Sequence, residues 1–135
     1  MGGLVARRFI QAHPETWKAM ADPDGLRSGG RLVMLGTPNR GSFAIPFVLT
    51  GEEKTVKMLE KFDFRHDMKE ILAIIDTFVG NYQMLPSPKH LFDDHRDRLF
   101  RAGEWGSAPV TQGLLDAGRA FQEGLDPVLD PERLV

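Results

Sequence analysis

The chain has 135 residues, enough for one domain with a core of its own. Its 41% hydrophobic and 27% charged residues are those of a globular chain, and a formal net charge of −2 makes no electrostatic case for nucleic acid or an anionic membrane. The absence of cysteine excludes disulfides, thiolate metal sites and cysteine nucleophiles, and agrees with a reducing compartment.

Taken in chain order, residues 2–12 carry Leu4, Val5, Phe9 and Ile10 at helix-compatible spacing, with Arg7 and Arg8 between them. His13-Pro14 interrupts this helix, and a second helical piece over 15–20 carries Trp17 and Met20. Asp22-Pro23-Asp24-Gly25 reads as a turn and Ser28-Gly29-Gly30 as a second break. Arg31-Leu32-Val33-Met34-Leu35 is a continuous apolar run bounded by glycines, the pattern of a short parallel strand covered on both faces. It ends at Gly36-Thr37-Pro38-Asn39-Arg40-Gly41-Ser42.

After Thr50 the periodicity is helical throughout. Residues 51–62 space Val56, Leu59 and Phe62 by three, and residues 66–79 place Met68, Ile71, Leu72, Ile75, Phe78 and Val79 in one wide apolar stripe. Gly80 is expected to end that helix, and Leu85-Pro86-Ser87-Pro88 to act as a rigid connector. An amphipathic segment follows over 89–101, then a loop over 102–109. The last helix, 111–125, turns Leu114, Leu115, Ala117 and Phe121 inward and closes at Asp126-Pro127. Residues 130–135 read as the approach to a further strand. There is no internal repeat or low-complexity tract, and no apolar stretch approaches the ~20 residues that cross a bilayer. Arg7 and Arg8 break up any signal-peptide core, so the chain as it stands is expected in the cytoplasm.

Few side chains invite a chemical reading of their own. Ser42 lies in a glycine-flanked loop without a strand-to-helix elbow, which favours a loop-capping hydroxyl over a nucleophile. Of the four histidines, His13 precedes a proline at a helix end, where a structural role is favoured; the others are His66, His90 and His95. His90 and Asp94 are four apart, as a metal pair would be, but no third ligand accompanies them, so no metal site is assigned. The run from Asp93 to Arg98 interleaves opposite charges, the usual pattern of exposed helical ion pairs. The 68–79 stripe reads as packed core in preference to an acyl-chain tunnel. Trp17 is expected under the first helix and Trp105 in a loop.

Two segments together resemble a known family. Met1-Gly2-Gly3 is similar to the second half of a Gly-x-Ser-x-Gly nucleophile elbow, beginning one residue after the serine. Leu35-Gly36-Thr37-Pro38-Asn39-Arg40-Gly41-Ser42 resembles the Leu-Gly-Thr-Pro-x-x-Gly-Ser segment of triacylglycerol lipases and lecithin–cholesterol acyltransferase-like enzymes, at the spacing of one helix and one strand. The resemblance implies an α/β fold: a fragment of an α/β-hydrolase with one or two core strands over 1–50, a mostly helical cap over 51–130, and the start of a truncated strand at 131–135. It places Met1 at the oxyanion-hole position and puts Gly2, Gly3, Thr37, Pro38, Asn39, Arg40, Gly41 and Ser42 at the elbow and active-site rim.

The implied parent chemistry is ester hydrolysis or acyl transfer through a serine acyl-enzyme, with an ester or lipid substrate and no cofactor. No catalytic residue can be assigned within the chain, because the serine and its His and Asp partners would lie outside it. The polypeptide alone is therefore expected to be inert and, with unpaired strand edges, to self-associate or to need a complementing chain. The alternatives are a non-catalytic helical interaction module that binds a protein or lipid, and one chain of a split hydrolase.

Overall fold

Side-chain caps decide where two helices of this protein begin. A computed structural model describes residues 2–22, 29–91 and 93–125, the side chains of residues 93 and 94 excepted. Eight α-helices lie among them: α1 (Gly2–Ala12), α2 (Pro14–Ala21), α3 (Ala44–Leu49), α4 (Lys54–Phe62), α5 (Met68–Asp76), α6 (Val79–Gln83), α7 (Asp93–Leu99) and α8 (Gln112–Leu125). Single 3-10 turns occur at Pro88–His90 and Ala102–Glu104. The backbone falls into two compact units, Met1–Asn39 with Gly124–Val135, and Arg40–Glu123.

In the first unit α1 turns Leu4 and Ile10 inward and leaves Val5 exposed. Pro14 stands at the first position of α2, where its missing N–H costs nothing, and His13 between the helices stacks on Phe9 at 5.3 Å. Arg7 Nη1 donates to the Asn39 carbonyl at 3.0 Å, and its other guanidinium nitrogen donates to the Leu125 carbonyl. The Gln11 amide donates to the Gly124 carbonyl.

The expected strand over 31–35 is not formed. The segment is extended, but only isolated bridges occur, at Leu32, Asn39 and Gly41, and there is no β-strand among the described residues. Leu35, placed in a buried central strand by its sequence pattern, is 90% exposed, and Val33 is exposed beside it. The physical reason is plain: a strand exists through ladder hydrogen bonds to a neighbour, and among the described residues this segment makes isolated bridges and no ladder. The α/β fold class is thus overturned: the described residues form helices, turns and loops without a sheet. The strand expected at 131–135 and the Asp126-Pro127 closure lie outside the described residues.

The second unit is built on α3 to α8. Glu53 starts α4 by accepting the Thr55 and Val56 amides at 2.6 and 3.3 Å. Asp67 and Glu70 start α5 as a reciprocal capping box, each side chain accepting the other's backbone N–H. Ile45 and Leu49 of α3, Val56 of α4, Ile71, Leu72 and Ile75 of α5, Tyr82, Leu85, Phe100 and Leu115 form one continuous core.

Several expected boundaries shift. The helix over 66–79 is two helices: the chain turns at Thr77, Phe78 is extended, and α6 runs through Gly80, where a helix end was expected. Polar groups hold that turn, because the Asn81 amide donates to the Ile75 carbonyl at 3.1 Å and the Tyr82 hydroxyl donates to Asp76. Ile71, Leu72 and Ile75 of the expected stripe are buried, whereas Phe78 and Val79 face solvent. The segment over 89–101 shortens to one 3-10 turn and α7, and the 102–109 loop holds the other 3-10 turn. The last helix matches its expected span within one residue, and buried Gln122 fixes it by donating to the Gln83 carbonyl at 2.6 Å.

Candidate functional site

The Arg40–Glu123 unit carries an open groove of about 550 Å³. Two helical faces build it. Phe43, Pro46, Phe47 and Thr50 recur at i, i+3, i+4 and i+7 along and beside α3, and His95, Arg98 and Leu99 follow at i, i+3 and i+4 along α7, with extended Leu91 ahead of that helix. Glu52, Glu104 and Trp105 complete the lining.

Local chemistry explains why the walls stand where they do. The Ser42 hydroxyl accepts the Ala44 amide at 3.2 Å at the start of α3, while the Ser42 amide donates to the Met84 carbonyl at 2.8 Å. Thr50 ends the helix by donating its hydroxyl to the Pro46 carbonyl at 2.9 Å. The Trp105 indole donates to the Leu99 carbonyl at 3.0 Å, so the ring is held in a fixed orientation with its one polar atom satisfied.

The groove's charges are largely spent on one another. Arg98 Nε pairs with Glu104 at 3.0 Å, and Glu52 pairs with Lys57 at 2.6 Å. What remains is an apolar floor of three aromatic rings, a proline and two leucines, with His95 at its edge. Nothing in this arrangement pairs a nucleophile with a base, and among the described residues no three of His, Asp and Glu converge as metal ligands.

The residues that the resemblance assigned to an elbow and rim fall in different places. Met1 lies outside the described residues. Gly2, Gly3, Thr37, Pro38 and Asn39 belong to the first unit, and Arg40, Gly41 and Ser42 to the second. The structure does bring Gly3 and Thr37 together: a Cβ on Gly3 would stand 2.3 Å from the Thr37 hydroxyl oxygen, so only glycine admits that packing. Asn39 serves through its backbone as the acceptor for Arg7, while its buried side-chain oxygen has no hydrogen-bond partner among the described residues.

Arg40 approaches His90, Nη1 to Nδ1, at 3.4 Å, and its carbonyl accepts the Ser87 amide at 2.9 Å. Gly41 has φ +79, and a Cβ there would meet the Leu85 carbonyl oxygen at 2.0 Å. Ser42 behaves as the loop-capping hydroxyl. The expected His90–Asp94 relation cannot be drawn, because the Asp94 side chain lies outside the described residues. Asp97 and Arg98 of the 93–98 run pair outside it: Asp97 lies 3.5 Å from Arg101, beyond the end of α7, and Arg98 pairs with Glu104.

Sequence patterns miss the groove because they assign no element to residues 43–50. Pro46 hid the helix, although its place in the first turn of α3 is one that proline tolerates. The signal was available in the spacing of Phe43, Phe47 and Thr50.

No family model, curated protein or solved structure matches this chain. Together with the missing sheet, this overturns the expected membership of the α/β-hydrolases: neither strand nor family supports it. Two short motifs at a suitable spacing were compatible with helix–loop–helix backbone as readily as with helix–strand–loop. Among the described residues no helix is long and apolar enough to cross a membrane.

Proposed function

We propose that the Arg40–Glu123 unit is a helical binding module that takes a neutral, apolar small molecule into the α3–α7 groove, and that its function is binding in place of catalysis. The observation that carries this reading is the groove itself. Its volume of about 550 Å³ lies within the range of small-ligand sites, its floor is aromatic and aliphatic, and its rim charges are already paired. A ligand with a strong charge would find no unspent counter-charge on the paired residues, whereas an acyl chain or aromatic body would displace water from Phe43, Phe47, Leu99 and Trp105. An ester or lipid belongs to this class through its apolar part.

Trp105 supplies the test. In a Trp17→Phe variant it is the sole tryptophan of the chain. Titration with a neutral naphthyl probe should quench its emission saturably, by energy transfer to the probe. Phe47→Asp, a change at an exposed ring that leaves the core intact, should weaken binding by about tenfold or more, equivalent to 1.4 kcal/mol. An unsaturable response, or equal binding by the Phe47→Asp variant, rejects the proposal.

A further inference from the structure

Exposed rings at the end of α4 mark a second surface, separate from the groove. Phe64 is 96% exposed and Phe62 73%, with Met58 and Leu59 more than half exposed beside them. Val56 alone of this helix is buried. At 100° per residue Met58 and Phe62 form an outward apolar row well apart from Val56, Leu59 lies between that row and Val56, and Lys54, Lys57 and Lys61 form the row on the other side.

Solvent does not meet Phe64 by accident of a loose loop. The Asp63 carboxylate accepts the Arg65 and His66 amides at 2.8 and 3.2 Å and the His66 ring at 2.8 Å, an Asx turn that holds Phe64 at its tip.

The charges around this tip are segregated. Most of its carboxylates are engaged by the protein: Glu53 caps α4, Asp63 ties the turn, Asp67 and Glu70 cap α5 and Glu52 holds Lys57, while Glu60 lies on the opposite side of α4 from Met58 and Phe62. Lys54, Lys61 and Arg65 make no ion pair among the described residues and remain available outward. A net charge of −2 for the chain conceals this local division of sign.

From this geometry we infer that the α4–α5 turn docks on an anionic lipid surface, with Phe62 and Phe64 inserted among the acyl chains and Lys54, Lys61 and Arg65 at the level of the headgroup phosphates. Rings on a braced convex tip suit a soft surface, and flexible cationic side chains reach headgroups while their stems cover apolar area. The lipid surface is an inference independent of the groove, since none of these residues lines it.

Vesicle co-sedimentation of the whole chain decides the matter. The protein should pellet with phosphatidylserine-rich vesicles and much less with phosphatidylcholine alone, and added salt should weaken the binding. A Phe62→Ala/Phe64→Ala double variant should lower partitioning by about tenfold or more, as loss of inserted aromatic area requires. Both rings are exposed, so circular dichroism should confirm that the variant keeps its fold. Lys54→Glu/Lys61→Glu should abolish the preference for anionic vesicles.

No pelleting, or pelleting unchanged by the Phe variant, overturns the inference. So does concentration-dependent self-association in sedimentation velocity that the Phe variant removes, because a second copy would then be the occupant. Binding of the naphthyl probe by the Phe62→Ala/Phe64→Ala variant should be unchanged, which separates failure at this surface from failure of the groove.

Discussion

At the scale of single residues, the Asp63–His66 pair shows how a few atoms set a pH response. Backbone donation from Arg65, then the His66 side chain, hold the Asp63 carboxyl below its ordinary value. The hydrogen bond to Asp63, followed by its charge, raises His66 above the usual imidazole value. The signs follow directly. A histidine raised in the folded state adds stability fully below its unfolded value of about 6.5, and the gain is lost as pH rises through the higher folded value. An aspartate lowered in the folded state adds stability above about 3.9, lost as pH falls through its lower folded value. The turn is therefore tightest between those limits. An NMR titration of the His66 ring should show a midpoint above that of a model peptide, and Asp63→Asn should bring it down toward that of the peptide. An unshifted midpoint in the unmodified chain would contradict the pairing.

At the scale of elements, short helices here depend on their ends. The nine residues of α5 are too few to be stable alone, and its start relies on the Asp67–Glu70 capping box. Asp67→Ala should cost about 1 kcal/mol, read as a lower denaturant midpoint with an unchanged slope. That capping pattern is legible in sequence as Asp-x-x-Glu ahead of an apolar run. The division of the 66–79 segment into α5 and α6 was not, since it depends on Asn81 and Tyr82 bonding back to Ile75 and Asp76 across the turn. Periodicity reports which faces are apolar and is silent on a break that turns Phe78 and Val79 to solvent. The groove presents the same contrast: each of its walls repeats at helical spacing, and only packing sets α3 and α7 opposite one another.

For the molecule as a whole, apolar sequence did not translate uniformly into burial. Leu115 is fully buried in the core of the Arg40–Glu123 unit, and Leu115→Ala should destabilise by about 2–5 kcal/mol in denaturant unfolding. Leu35 sits in the most strand-like run of the chain, yet Leu35→Ser should change stability by less than about 0.5 kcal/mol, as befits a surface position. A large loss at Leu35 would mean that this segment is packed as a central strand would be.

The amino-acid sequence by itself determined the helical character beyond Thr50, the capping signals, the span of the final helix and the structural part played by Ser42, although Ala117, expected inward, is exposed. These follow from interactions within a few residues, whose spacing the chain carries in linear form. Tertiary structure alone decided that 31–35 forms no strand among the described residues, that the 66–79 stripe splits, and that Phe62 and Phe64 stay in water. Each of those depends on what lies beside a segment in space. Hydrophobic periodicity describes a surface in need of cover, and only the packed chain says whether that cover is supplied.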